Sequence, residues 1–207
     1  SIIDEQFNLD THPSIEAMIV DRADEIAYVS HDIDDGVNSG LINFDDLKES
    51  ELIRDILAKV KEEGISQEED EMFRYRFISH LINHLVYSLI AYSKDRVDNS
   101  RILCATLDNK TELPIGFDSK LETELKKLKK LLFTKLYQHK DIMIKMYAGK
   151  QAIKGLYSGL NEEPKMLPKF YLDQLQSRNK HRVIADYIAS MSDRHALSFY
   201  NEMYGKL

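Results

Sequence analysis

Apolar residues spaced alternately three and four apart recur along most of this chain, and that spacing restricts it to amphipathic helices. The clearest run is Ile78, Leu81, Ile82, Leu85, Val86, Leu89 and Ile90. A helical period gathers these side chains on one face, whereas a strand would divide them between two. Leu121, Leu125, Leu128, Leu132 and Leu136 form a second stripe, flanked by Lys126, Lys127, Lys129 and Lys130. Such a basic flank is ordinarily solvated surface, and it also attracts polyphosphate or nucleic acid. A third stripe consists of Leu47, Leu52, Ile53, Ile56, Leu57 and Val60.

Punctuation residues divide these stripes. Thr11-His12-Pro13-Ser14 predicts a helix start and Asn38-Ser39-Gly40 its stop. Asn43 to Asp46 predicts a second start, closed at Glu63-Gly64, and Ser66 with Glu69 matches a capping box before the third helix. Residues 95–117 read as loop, with Asp98-Asn99-Ser100 and Pro114-Ile115-Gly116 as breakers and a short β-leaning stretch from Arg101 to Leu107. Ser119 with Glu122 matches another capping box. Asp141 to Leu160 reads as a helix ending near Gly159, and Asn161 to Pro168 as a loop. Lys169 to Leu175 reads as a short helix, and Asn179 to Tyr204 as one long final helix.

At 207 residues and 43% hydrophobic, the chain is large enough for a core, and its composition argues against global disorder. A net charge of −7 argues against a general nucleic-acid-binding surface. The single cysteine, Cys104, excludes an intrachain disulfide and a Cys-rich zinc site. No apolar run approaches the length of a membrane span and no signal-peptide pattern opens the chain, so a cytoplasmic protein is expected.

Chemistry concentrates between Ile15 and Gly40. Asp24, Tyr28 and Asp32 are spaced four apart, and on a helix each such step turns the side chain by only about 40°. Acids and an aromatic hydroxyl on one stripe suit a hydrated metal and phosphates and do not suit a core. A solvated acidic face is the structural alternative. Val20, Ala23, Ile26, Ala27 and Val29 offer apolar surface for packing the same helix. Arg74 and Arg76 precede the third helix's stripe and suit either phosphate contacts or surface salt bridges. His80 and His84 are spaced for zinc on a helix, but Leu81 follows the first, where the metalloprotease motif needs Glu. Two polar-face histidines is the simpler account.

The stretch EAMIVDRADEIAYVSHDIDD, residues 16–35, closely resembles the ADDIAYxxHDxxDA helix of the dGTP triphosphohydrolases, a branch of the HD-domain phosphohydrolases. Residues 185–197, ADYIASMSDRHAL, resemble that family's DYIAGMTDRYAL segment. Tyr137-Gln138-His139-Lys140 is similar to a nucleotide-contacting YQHK of the vertebrate deoxynucleotide triphosphohydrolase. The three matches follow the family's order and span most of the chain.

The resemblance implies an all-α, multi-helix HD-domain-like bundle, and hydrolysis of dGTP or other dNTPs to deoxynucleoside and intact triphosphate. It implies a divalent metal, Mg²⁺ or Mn²⁺, with Asp24 as one ligand. Tyr28 and Asp32 match catalytic positions facing phosphates and sugar. Tyr137, His139, Lys140 and Arg76 are the expected substrate-binding residues. In such a site the metal polarises a phosphoryl oxygen or activates water while cations neutralise the triphosphate. His31-Asp32 is not the metal-binding His-Asp pair, which precedes the Asp24 position in the family. Only 23 residues precede Asp24 here, and His12 is the single histidine among them. The chain also begins at Ser1 rather than Met. It is therefore expected to be the C-terminal half of a longer enzyme, one α-helical domain or lobe over residues 1–207. It should be inactive alone, with the N-terminal half and further copies of itself as partners. The competing reading is a non-catalytic helical interaction or regulatory module, in which the expected site residues scatter or face bulk water.

Overall fold

The computed structural model describes residues 13–66, 70–100 and 114–205, and among them it is helical, with no strand. The all-α expectation holds. Glu69, Cys104, His12 and the β-leaning Arg101–Leu107 stretch lie outside the described residues. The chain divides into two compact units, Ser1–Tyr137 and Gln138–Leu207.

The first unit contains α1 (Ile15–Asn38), a 3₁₀ turn (Phe44–Leu47), α2 (Glu51–Glu62), α3 (Asp70–Ser100) and α4 (Ser119–Leu132). A π-helical turn, Phe133–Tyr137, continues α4. Helix α1 starts as its sequence predicts: the Ser14 hydroxyl accepts from the Ala17 amide at 3.3 Å. The second predicted start behaves differently. Asn43 and Asp46 exchange a reciprocal capping box, but it closes only the 3₁₀ turn, and α2 begins at Glu51. The turn buries Phe44 and Leu47, and the Phe44 ring sits 5.5 Å from Phe73 and 4.7 Å from Phe77 on α3. The start of α2 has no cap from its own Ser50 side chain. Glu124 on α4 supplies one, accepting from the Glu51 amide at 2.8 Å and the Ser50 hydroxyl at 3.3 Å.

Helix α3 runs unbroken to Ser100, past the break predicted at residue 95. Asp98, Asn99 and Ser100 are only mild helix formers, and residues 91–100 contain no Gly or Pro to end it. Its buried line is Phe73, Phe77, Leu81, Leu85 and Leu89, with Val86 and Ile90 exposed. The phenylalanines move the buried face away from the predicted stripe. On α4 and its π turn, Leu121, Leu125, Leu128, Leu132 and Leu136 are all buried, as their spacing predicts. Its cap is Asp118 rather than Ser119, accepting from the Lys120 and Leu121 amides at 2.9 Å each. Each fully buried Leu or Phe of this core contributes about 1.5–3 kcal/mol over leaving it exposed.

The second unit contains α5 (Lys140–Glu162), a 3₁₀ turn (Pro164–Met166), α6 (Lys169–Gln174), α7 (Lys180–Ala189) and α8 (Asp193–Tyr204). Its core is Leu160, Leu167, Val183, Ile184 and Tyr187. The one long final helix predicted from Asn179 to Tyr204 is two helices. Ser190 donates to the Tyr187 carbonyl at 2.7 Å, and Ser192 accepts from the His195 amide at 3.3 Å, so the two serines end one helix and cap the next. Nor does α5 stop near Gly159. Gly155 and Gly159 are interior positions where α8 packs closely: a Cβ on Gly155 would lie 2.3 Å from the Tyr200 ring. Tyr204 also donates to the Gly155 carbonyl at 3.0 Å.

Candidate functional site

The residues of interest in the first unit lie on α1 and along α4 with its π turn. Asp24, Tyr28 and Asp32 share the α1 face that their spacing predicts. Asp24 is exposed, Tyr28 is 40% exposed and Asp32 is half-buried. The opposite side of α1 buries Ile26, Val29 and Ile33 in the core. The close approach of α1 to the π turn depends on Gly36, where a Cβ would lie 2.8 Å from Ile42 and 3.3 Å from Leu136. Leu136 is buried there, and its neighbour Tyr137 reaches α1, donating its hydroxyl proton to the Asp32 carboxylate. π turns are uncommon and recur at functional sites. The bond to Asp32, reinforced by partial burial, pushes the Tyr137 hydroxyl up to about 12.

Beside these residues lies a network that the sequence reading missed. Glu25 is only 8% exposed. Its two oxygens accept from Arg22 at 2.6 Å and from Lys129 of α4 at 2.5 Å. Arg22 also reaches Glu122 at 2.7 Å. Burial works against a charged Glu25, but its bonds to Lys129 and Arg22 outweigh that and hold its carboxyl below the usual range. Burial likewise opposes a charged Lys129. The bond to Glu25 outweighs it and raises the ammonium's pKa, and the Tyr28 hydroxyl adds to this from its place beside the same ammonium. The sequence carries no signal that singles out Lys129 among the four lysines beside the stripe; Glu25 across the interface does.

The other expected residues stand elsewhere. Arg76 makes a two-pronged contact with Glu63 at 2.9 and 2.7 Å, and His80 approaches the same carboxylate at 2.8 Å. Arg74 is buried, pairs with Asp34 and lies 4.7 Å over the Tyr75 ring. His84 faces a cleft of about 180 Å³ lined by Glu51, Asp55, Asp118, Lys120 and Glu124, and burial pushes its pKa down. His80 and His84 thus serve different surroundings. None of the expected site residues lines that cleft. In the second unit His139 caps α5, its Nδ1 accepting from the Asp141 amide at 3.3 Å, and Lys140 is exposed in the first turn. Among the described residues, no group of three or more His, Cys, Asp or Glu is arranged to hold a metal ion.

Known proteins give this arrangement a context. A model of the phosphohydrolase-associated domain matches residues 115–202. A deoxyguanosinetriphosphate triphosphohydrolase-like protein of Wolinella succinogenes is 48% identical over 204 residues, 98% of this chain and 56% of the relative. Proteins described in the same words from Leptospira interrogans and Geobacter sulfurreducens are 31% and 32% identical, over 92% and 93% of this chain and 51% and 50% of the relatives. The chain belongs to this dGTPase family of HD-domain proteins. It spans about half the length of the curated relatives it matches. The family's α1 resemblance contains Asp24, Tyr28 and Asp32, and the family domain match contains Lys129 and Tyr137. Among the described residues, no helix is long and apolar enough to cross a membrane.

Proposed function

We propose that this chain forms part of an enzyme that hydrolyses dGTP, or other dNTPs, to deoxynucleoside and triphosphate. The observation that carries the reading is the bond from Tyr137 to Asp32 beside Tyr28, because it joins two separate stretches that resemble the family's nucleotide-contacting segments. Asp32 accepts and orients the Tyr137 hydroxyl, which stays a neutral donor at physiological pH. Tyr28 and Asp32 are the catalytic positions, facing phosphates and sugar. Tyr137, His139 and Lys140 contribute to the nucleotide pocket. Arg76 takes part only if Glu63 releases it, since a phosphate would have to replace a two-pronged carboxylate contact.

The divalent metal of this reading, Mg²⁺ or Mn²⁺, does not fit the described residues alone. Asp24 is one exposed carboxylate, and one carboxylate does not make a site. Asp24 is therefore proposed as a single ligand, with the remaining ligands on an N-terminal half corresponding to the length of the relatives outside this chain. A cytoplasmic homo-oligomer belongs to the same proposal.

The test compares the full-length gene product containing this chain with the 207-residue chain itself. Each is incubated with each dNTP and Mg²⁺ or Mn²⁺, and the products are separated. Triphosphate release by the full-length protein, lost on Asp24→Ala and absent from the chain alone, is expected. No release by the full-length protein with any dNTP or metal would favour the interaction-module reading. Release by the chain alone would overturn the split-site assignment.

A further inference from the structure

Polar side chains join α4 and its π turn to α1 at Glu122, Lys129 and Tyr137. Glu122 pairs with Arg22 at 2.7 Å, Lys129 pairs with Glu25 at 2.5 Å, and Tyr137 donates to Asp32. Glu122 and Lys129 are seven residues apart. On an α-helix that is about 20° short of two full turns, so both leave α4 on the same side. The next contact comes eight residues further on, at Tyr137. Eight α-helical residues overshoot two turns by about 80° and would carry Tyr137 off that side. The acceptors it must follow on α1, Glu25 and Asp32, are again seven apart.

The π turn, Phe133–Tyr137, resolves the mismatch. A turn bonded i→i+5 takes up about one more residue than an α turn bonded i→i+4. It returns Tyr137 to the side of Lys129 and keeps the Leu136 side chain buried, next to Gly36. Burial does not hold Tyr137 in place. It is 43% exposed, and Phe133, the ring beside it in the turn, is 56% exposed. The direction of the backbone therefore decides where its hydroxyl goes. Thr134 lies inside the turn and donates its hydroxyl to the Lys130 carbonyl at 3.0 Å, a back-bond of the kind that bends α-helices.

We propose that the π turn is a positioning device for Tyr137: its one extra residue matches an eight-residue interval on the α4 side to the seven-residue interval on α1, and so sets the Tyr137 hydroxyl on Asp32. The placement stands on geometry alone, and its consequence for catalysis rests on the function proposed above. The turn touches no reacting atom except through Tyr137.

The test changes the length of the turn by one residue in each direction, in the full chain labelled with ¹³Cζ-tyrosine and with the Tyr137 resonance assigned from Tyr137→Phe. Deleting Thr134, which is exposed, leaves a seven-residue interval that an uninterrupted α-helix satisfies. Tyr137 should then still titrate near 12. An alanine inserted after Thr134 makes the interval one residue longer than the turn absorbs, and Tyr137 should titrate near the ordinary 10.0. A helix end without a role in register would treat the two changes alike. A value near 10 after the deletion, in a folded chain, overturns the proposal, and so does a value near 12 after the insertion. Each variant decides alone, so one that fails to fold leaves the other to be read. In the full-length protein the deletion should keep kcat/KM within about threefold, and the insertion should lower it at least about tenfold. The expected titrations in a full-length protein without activity would sink the proposed function and leave the role of the turn intact. An active full-length protein whose Tyr137 stays near 12 after the insertion would do the reverse.

Discussion

The Tyr137 hydroxyl donates to Asp32 across 105 residues of sequence, and the bond exists only while Tyr137 keeps its proton. The carboxylate therefore raises the hydroxyl's pKa from 10.0 to about 12. A folded-state pKa above the unfolded value means the stabilisation is fully present below pH 10 and is lost as pH rises through about 12. In a ¹³Cζ-tyrosine titration, Tyr137 should ionise about two units later than an ordinary tyrosine. Asp32→Asn should bring it back toward the ordinary value while leaving the α-helical spectrum unchanged. A Tyr137 that titrates near 10 in the unmodified chain would rule the bond out in solution.

Glu124 illustrates a helix capped from a distance. It is buried and accepts from Lys127 at 2.7 Å and from the Glu51 amide at 2.8 Å. The Lys127 bond holds its carboxyl below the usual range against the opposing effect of burial, and the Glu51 amide and Ser50 hydroxyl add to it. Glu124→Ala leaves the first amide of α2 without its partner and should cost about 1–3 kcal/mol in a urea titration. The sign of the pH dependence follows from the lowered pKa. The contribution is complete above the ordinary glutamate value of 4.5 and disappears as pH falls through the folded value. The difference between the unmodified chain and Glu124→Ala should therefore shrink as pH falls below 4.5 and through the lowered folded value.

Much of this was legible in the sequence, for identifiable reasons. The five leucines of α4 announced their burial, because one apolar residue per turn leaves a helix no other way to pack. Ser14 and Gly40 bounded α1 because caps act locally. Asp24, Tyr28 and Asp32 could be placed on one face from spacing alone. What could not be read depended on distant partners. Asn43 and Asp46 carry the same capping signal whether a full helix or a single turn follows, and the buried Phe44 and Leu47 decide between them. Four lysines flank the α4 stripe, and only the position of Glu25 across the interface singles out Lys129. Gly159 of α5 resembled a helix end because the surface it accommodates, on α8, lies some 40 residues on.

The Phe44 contacts make the 3₁₀ turn part of the core rather than a surface link. Phe77 is fully buried, with its ring 4.7 Å from Phe44. Phe77→Ala should cost about 3–5 kcal/mol, the range for truncating a large core aromatic. Phe77→Leu should recover most of that loss, since it keeps most of the apolar volume. Equal losses in the two variants, measured by urea unfolding, would mean that the ring–ring geometry rather than filled volume stabilises this layer.

Gly155 and Gly159 are separated by one turn of α5 and face the same helix, but they should respond differently to an added methyl group. A Cβ on Gly155 would sit 2.3 Å from the Tyr200 ring, with a second ring, Tyr204, 3.2 Å away. A ring yields only by swinging as a whole about its χ angles, so either Tyr200 or α8 must shift. Overpacking of this kind costs about 1–3 kcal/mol. Replacing a mid-helix glycine returns about 1 kcal/mol of backbone preference. Gly155→Ala should therefore destabilise the second unit modestly. At Gly159 the nearest atom is the terminal methyl of Met203, at 2.2 Å, and an unbranched thioether can rotate away. The Tyr204 hydroxyl, 3.0 Å away, must also give by a few tenths of an ångström, so Gly159→Ala should come out near neutral and cost less than Gly155→Ala. Parallel thermal melts of the two variants decide the point. A Gly155→Ala variant at least as stable as the unmodified chain would show that the α5–α8 contact has slack that the packing of Tyr200 does not reveal.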